Sequence, residues 1–316
     1  MKVAFFSESS IRGSIPRDFS NARTEYAWMI ALNANHWNID VFSKPKEMPQ
    51  YDVYYDLGII IIPKNNPQID LSIFKDSCKN VAIMQEGPHW YFQDYSIDKQ
   101  FHYYNALMEA DWVYCHNKSD VSYYRGLGCK DVRVMRSLMI PEELESRTVR
   151  NRDNVIIGGN FVSWYGGFDS YIVARELDRN IWAPSMGRKQ QQEDAIEDIN
   201  YLPYMTWREW INKLKDFDIG IHLMRTHAAG TFAMNCAYHN IPCIGYKGLD
   251  TQEILHPLIT IEVGDLERAK KLALRLQNDE KFYKLCSDTT KKQFKKHYIE
   301  EVWLENWKEI WKKLHL

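Results

Sequence analysis

Residues 101–135 read FHYYNALMEADWVYCHNKSDVSYYRGLGCKDVRVM. Phe101–Ala110 reads as a helix and Trp112–Cys115 as a short apolar strand. Val121–Leu127 is helical again, and Val132–Met135 is another strand. Strands that alternate with helices lie parallel, with helices on both faces of the sheet.

The same rhythm extends in both directions. Upstream, Lys2–Phe6 predicts a first strand, followed by a long polar loop from Ser7 to Thr24. Glu25–Ala34 has helical spacing, Ile39–Phe42 predicts a second strand, and Val53–Tyr55 and Ile59–Ile62 offer further strand material. Val81–Met84 reads as a buried strand. Downstream, Pro141–Asn154 is crowded with charge and reads as an interdomain linker. The pattern then restarts. Val155–Ile157 is a strand ending in Gly158-Gly159, Ser170–Leu177 a helix and Ile181–Ala183 a strand. Thr206–Leu214 is a helix with Thr206 and Glu209 at capping-box positions. Ile219–Leu223, Cys243–Tyr246 and Leu258–Glu262 predict strands, while Thr231–His239 and Leu266–Leu276 predict helices. In the last helix, Trp303, Trp307 and Trp311 repeat every fourth residue, giving one apolar face.

Composition narrows the function classes. A chain of 316 residues favours two domains, since single cores stop growing near 250–300 residues. The net charge of −2 excludes an evenly basic nucleic-acid coat, and it is equally unlike an acidic tail. Mean hydropathy is −0.48, and the strongest apolar run, Ile59–Ile62, is far shorter than a membrane span. Met1–Phe6 reaches Ser7-Glu8 too soon for a signal peptide. The six cysteines form no CxxC pair, which argues against zinc and redox motifs and for buried thiols in a reduced, cytoplasmic setting.

Several words in this order resemble one family. They are Ala106-Leu107-Met108-Glu109-Ala110-Asp111-Trp112-Val113-Tyr114-Cys115-His116, followed by Gly128 and Val132-Arg133-Val134-Met135. Near the start, Ala31-Leu32 and Asn35–Val41 match a turn into the second strand. Later come Ile241-Pro242-Cys243-Ile244-Gly245, Thr251-Gln252-Glu253-Ile254 and Val263-Gly264-Asp265. Together they resemble the retaining, nucleotide-sugar-dependent GT-B glycosyltransferases (the group 1, family 4-like type) over nearly the whole chain. The resemblance implies an α/β fold of two Rossmann-like domains with a cleft between them. The first would be 1–148, with 299–316 packing back on it, and the second, donor-binding domain would be 153–298. The C-terminal helix would cross back to the first domain. Two glutamates of the family are replaced here by His227 and Asn235. Its arginine and lysine after the first strand of the second domain fall at Asn160 and in Tyr165-Gly166-Gly167. These departures mean either a rewired site or a loss of activity.

The site candidates follow from what a nucleotide sugar brings. Its diphosphate needs backbone N–H groups at a helix start and nearby cations. Ala228-Ala229-Gly230-Thr231 supplies small residues before a helix, with Arg225 and His227 just ahead and Asn235 placed to meet a ribose hydroxyl. Arg188 and Lys189 are candidate replacements for the missing cations, Asn160 stands near one of them, and Tyr204 could stack on a nucleobase or pack in the core. In the first half, Gln85-Glu86-Gly87-Pro88-His89-Trp90 ends a buried strand, where Glu86 or His89 could orient an acceptor hydroxyl or take its proton. His116 is a second choice. Gly13 is the candidate for close approach in the loop after the first strand.

The resemblance implies a UDP-sugar co-substrate, with no further cofactor and no metal, and retention at the anomeric carbon. The altered residues look like divergent, bacteriophage-type transferases, some of which decorate hydroxymethylated pyrimidines in DNA. For such an acceptor, Arg12, Arg17, Arg23, Lys44 and Lys46 would meet phosphates, and Trp90, Tyr91 and Phe92 would wall a base pocket. A glycan or lipid-linked acceptor in surface polysaccharide synthesis, a non-catalytic sugar-nucleotide binder and an epimerase of the same fold remain alternatives.

Overall fold

The computed structural model describes the chain except for residues 9, 10, 12, 40–53, 63–68, 86, 143, 151, 160, 163, 185–190 and 313–316. The described residues form two compact units. Unit 1 comprises Met1–Ile140, His227–Ala229 and Trp303–Leu316, and unit 2 comprises Pro141–Thr226 and Gly230–Val302.

In unit 1 the elements run β1 (Val3–Ser7), α1 (Glu25–Ala31), β2 (Asn35–Asn38), β3 (Leu57–Ile62), α2 (Leu71–Lys75), β4 (Val81–Gln85), α3 (Ile97–Glu109), β5 (Trp112–Cys115), α4 (Val121–Leu127) and β6 (Val132–Val134). All strand pairs are parallel, in the order β2-β1-β3-β4-β5-β6. The chain reverses its direction of travel across the sheet between β1 and β3, and such a switch point opens a crevice beyond the carboxyl ends of the strands. The unbroken burial of β3, with four consecutive isoleucines, and of β4 suits strands covered on both faces.

The second strand is Asn35–Asn38 rather than the expected Ile39–Phe42. Its polar residues are tolerated because they are paired. His36 is fully buried, and its Nε2 lies 2.8 Å from Ser7 Oγ while Nδ1 meets the Ile11 carbonyl. Ile39 is buried just after the strand, and 40–42 lie outside the described residues. Of the expected Val53–Tyr55, Val53 also lies outside them, and Tyr55 makes only an isolated bridge to Cys78. The first helix stops at Ala31, and Asn33 then turns the chain at a φ of +47°.

Unit 2 runs β7 (Asn154–Ile157), α5 (Gly167–Ala174), β8 (Asn180–Pro184), β9 (Ile199–Leu202), α6 (Trp207–Leu214), β10 (Ile219–His222), α7 (Thr231–Tyr238), β11 (Cys243–Tyr246), α8 (Asp250–Leu255), β12 (Thr260–Ile261), α9 (Leu266–Asn278), α10 (Glu280–His297) and the start of α11 (Glu300–Lys312). Its parallel sheet is ordered β12-β11-β10-β7-β8-β9, with the switch point between β7 and β10. Alternate residues of β7 feed two apolar layers. Val155 and Ile157 join one with α5 and α9, and Ile156 joins the other with α6 and α7. The capping box at Thr206 and Glu209 is formed on α6. The expected strand Leu258–Glu262 is instead a 3₁₀ turn, Pro257–Ile259, followed by the two-residue β12.

The stretch expected as a linker, Pro141–Asn154, is pinned to unit 2. Arg150 makes a paired contact with the fully buried Asp218, and Arg147 donates to the carbonyls of Phe217 and Asn240. The tryptophan face of α11 packs on unit 1. Trp307 stacks on Tyr114 at 5.7 Å, and Trp303 Nε1 donates to the Arg136 carbonyl that also accepts from Trp28. All six cysteines are buried and free.

Candidate active site

In unit 1 the functional side chains lie on the loops that leave β4 and β5. After β4, Gly87 turns the chain at a φ of +85° and His89 comes to rest on the ring of Tyr123, with centroids 4.0 Å apart. After β5, Asn117–Asp120 form a short turn that starts α4. Asp120 is buried, and its carboxylate makes no cap bond to its own helix. It faces two imidazoles instead: Oδ1 lies 3.1 Å from His227 Nδ1 and 3.5 Å from His89 Nδ1. Oδ2 accepts from Asn117 Nδ2 at 3.1 Å. Asn117 also donates to the Ala228 carbonyl at 3.0 Å, and Ser137 Oγ donates to the Ala229 carbonyl at 2.5 Å. Burial alone would raise the Asp120 carboxyl, but the facing groups of His227, His89 and Asn117 outweigh it and hold it well below the ordinary carboxylate range.

The structure therefore brings together His89 and His227, 138 positions apart, on a residue that sequence reasoning missed. The signal available was an Asp at the start of a helix shortly after a strand end, a pattern that ordinarily means a cap. His116 is different: it stacks on Trp28, and burial lowers its imidazole to about 4 despite Asp120 nearby. Glu86 lies outside the described residues. Trp90 and Tyr91 are half-buried neighbours with rings 6.2 Å apart. Phe92 is not a pocket wall, because it is buried and stacked on Tyr103 in the core. Arg17 and Arg23 are exposed, whereas Arg12, Lys44 and Lys46 lie outside the described residues. Gly13 adopts a φ of +77° and pairs its backbone with His36, which already accounts for a glycine there.

In unit 2 the loops at the β7–β10 switch point are tightly fitted. A β-carbon on Gly158 would stand 2.5 Å from the His222 ring, and one on Gly159 would stand 2.6 Å from the Tyr165 carbonyl oxygen. Ser170 Oγ donates to the Gly166 carbonyl and accepts from the Leu223 N–H, tying the two loops together. Arg225 is exposed, but it is anchored by Asp169 at 2.9 Å, which also accepts from Tyr246. That ion pair raises the guanidinium above its ordinary value. Gly230 precedes α7 in the left-handed conformation, leaving the N-terminal N–H groups of the helix at Thr231. Asn235 is turned inward: it is buried, and with its amide oriented to satisfy both neighbours it donates to the Thr231 carbonyl and accepts from Trp210 Nε1. That inward bonding, rather than a ribose contact, is what its position provides. Tyr204 is 73% exposed, so it is not a core residue. Asn160, Arg188 and Lys189 lie outside the described residues. Among the described residues no cluster of three or more His, Cys, Asp or Glu could hold a metal ion, and no helix is long and apolar enough to cross a membrane.

No protein-family model and no curated protein matches the sequence. Solved structures do match. Sucrose-phosphate synthase from Thermosynechococcus elongatus aligns over 100% of this chain and 99% of its own, with a TM-score of 0.70 and 8% identity. Anabaena HepE, solved with UDP and glucose, aligns over 99% and 100%, with a TM-score of 0.67 and 10% identity. An alpha-glucosyltransferase in complex with UDP and a 13-mer DNA containing an HMU base aligns over 98% and 99%, with a TM-score of 0.64 and 10% identity. The chain has the GT-B glycosyltransferase fold. It spans only 58% of S. aureus TarM, another protein of the GT-B fold, at a TM-score of 0.64 and 11% identity.

Proposed function

We propose that this chain is a glycosyltransferase that moves a sugar from a UDP-sugar to an acceptor hydroxyl. The carrying observation is that the GT-B likeness runs end to end along both this chain and enzymes solved with UDP. In this reading the diphosphate meets the N–H groups at the start of α7, beside Gly230 and Thr231, with Arg225 as a fixed cation. The bond between the anomeric carbon and the phosphate oxygen breaks, and its electron pair leaves on that oxygen with UDP. The acceptor oxygen bonds to that carbon on the face from which UDP departs, and its proton passes to His89 or His227. Following the family resemblance, the anomeric configuration is retained and the protein works in the cytoplasm.

For the acceptor we favour a hydroxymethylated pyrimidine in DNA. The alpha-glucosyltransferase solved with DNA supports this, as do exposed Arg17 and Arg23, which suit phosphate contacts, and Trp90 as a stacking ring. A second reading, donor binding without turnover, is favoured by the inward-turned Asn235. A thermal-shift panel of nucleotide sugars, followed by mass spectrometry of hydroxymethylcytosine DNA, separates these readings. Stabilisation by a UDP-sugar with added hexose mass on the base is expected. Stabilisation with no hydrolysis or transfer to DNA, glycan or lipid acceptors selects the binder, and no stabilisation by any donor rejects both.

A further inference from the structure

Asp120 is a poor fit to the two ordinary roles of a buried aspartate. It does not cap α4, although it stands at the N-cap position. Among the described residues no Lys or Arg is in ion-pair contact with it, and the groups facing its carboxylate at 3.1 and 3.5 Å are imidazoles from two other segments. Its low proton affinity leaves it an acceptor only. The atom facing it at hydrogen-bond distance, His227 Nδ1, must then carry the proton, with Ser119 Oγ at 3.3 Å as a second partner of the same N–H. His89 Nδ1 is buried, makes no hydrogen bond and stands 3.5 Å from the same oxygen. The two rings are 6.3 Å apart and steeply inclined, at 68°. Among the described residues, the titratable groups around them include the rings of Tyr123 and Tyr124, which flank His89, and the buried imidazole of His116, which feels the Asp120 charge.

We infer that Asp120 is a positioning residue, which holds His227 in the Nδ1–H tautomer so that the ring keeps an unprotonated Nε2 on the side away from the carboxylate. Asn117 completes the arrangement by holding both the carboxylate and the backbone of the His227 segment through one amide. In the transfer reaction, on which this role rests, the proton of the attacking hydroxyl passes to Nε2. The carboxylate then stabilises the imidazolium so formed.

Two measurements test it, one of them independent of turnover. In imidazole ¹⁵N–¹H correlation spectra of the full labelled chain, the His227 signal, identified by its loss in His227→Gln, should show the Nδ1–H tautomer. It should shift to a mixture in Asp120→Asn. An Nε2–H tautomer in the wild type overturns the inference whether or not the protein is active, and whether or not the variant folds. With UDP-glucose and hydroxymethylcytosine duplex, Asp120→Asn should lower kcat by roughly 100-fold or more while donor KM changes little. The acid limb of the kcat/KM profile should move to lower pH, because the imidazolium loses its counter-charge. His227→Gln should remove a similar factor, and the double variant little more. An active wild type whose kcat and acid limb survive Asp120→Asn refutes the positioning role and leaves the glycosyltransferase reading standing. A wild type that neither binds nor turns over any UDP-sugar refutes that reading, while the tautomer still decides the role of Asp120.

Discussion

Gly166 precedes α5 with a φ of +65°, and a β-carbon built there would stand 2.0 Å from the Leu223 carbonyl oxygen. Gly230 precedes α7 with a φ of +64°, and its β-carbon would stand 2.1 Å from Thr251 Oγ1. The left-handed conformation alone costs a residue with a β-carbon about 1–2 kcal/mol. The steric terms then differ. At Gly166 the obstacle is backbone, whereas at Gly230 it is one hydroxyl. Gly166→Ala is expected to destabilise by more than about 2 kcal/mol in urea unfolding. Gly230→Ala should destabilise too, and Thr251→Ala in the same chain should recover part of the loss. An additive double variant would show that Thr251 is not the obstacle. The glycine before α7 was legible in the sequence as a helix-start turn. That its bareness accommodates Thr251 was not, because Thr251 lies 21 positions further along.

Among the elements, the charged stretch before β7 was the hardest to read. Its density of Glu and Arg looks solvated, yet Arg147, Arg150 and Arg179 converge on the fully buried Asp218 at 3.6, 2.7 and 2.7 Å. Arg150 lies 3.4 Å over the Tyr283 ring, so α10 joins the same cluster. Charge that is paired and covered has the same composition as charge in water, and only the partner's position separates them. Asp218→Asn leaves three guanidinium groups short of their shared carboxylate, and a loss of about 3–5 kcal/mol is expected by chemical denaturation. A change below about 1 kcal/mol would mean that water already reaches the cluster. The 18-residue α10 went unread because its apolar residues are interleaved with lysines, although Phe282, Tyr283, Cys286 and Phe294 form its buried side.

For the molecule as a whole, burial sets the pH response. His116, His222, His239 and His256 are each lowered by burial to about 4 from 6.5. His256 shows why the neutral form is required. Its Nε2 donates to the Ala233 carbonyl, while Nδ1 accepts from the Cys243 N–H and the Thr290 hydroxyl. A folded value below the unfolded one means that the unfolded chain binds the extra protons. Their contribution is therefore complete above pH 6.5 and is lost as the pH falls towards 4. Urea midpoints measured from pH 7.5 to 4.5 should fall steadily below about 6.5, and a flat profile would contradict the burial of these rings. The alternation of apolar strands and helices by itself determined two parallel sheets, because period and length are local properties of the chain. Family-like words in a set order added the GT-B reading. Only the tertiary structure decided that Asp120 faces two histidines from other segments, that Asn235 turns inward and that the supposed linker is anchored on Asp218. These depend on which side chains meet across more than a hundred positions in one case and on how buried polar groups find partners in all three, and neither is written in local periodicity.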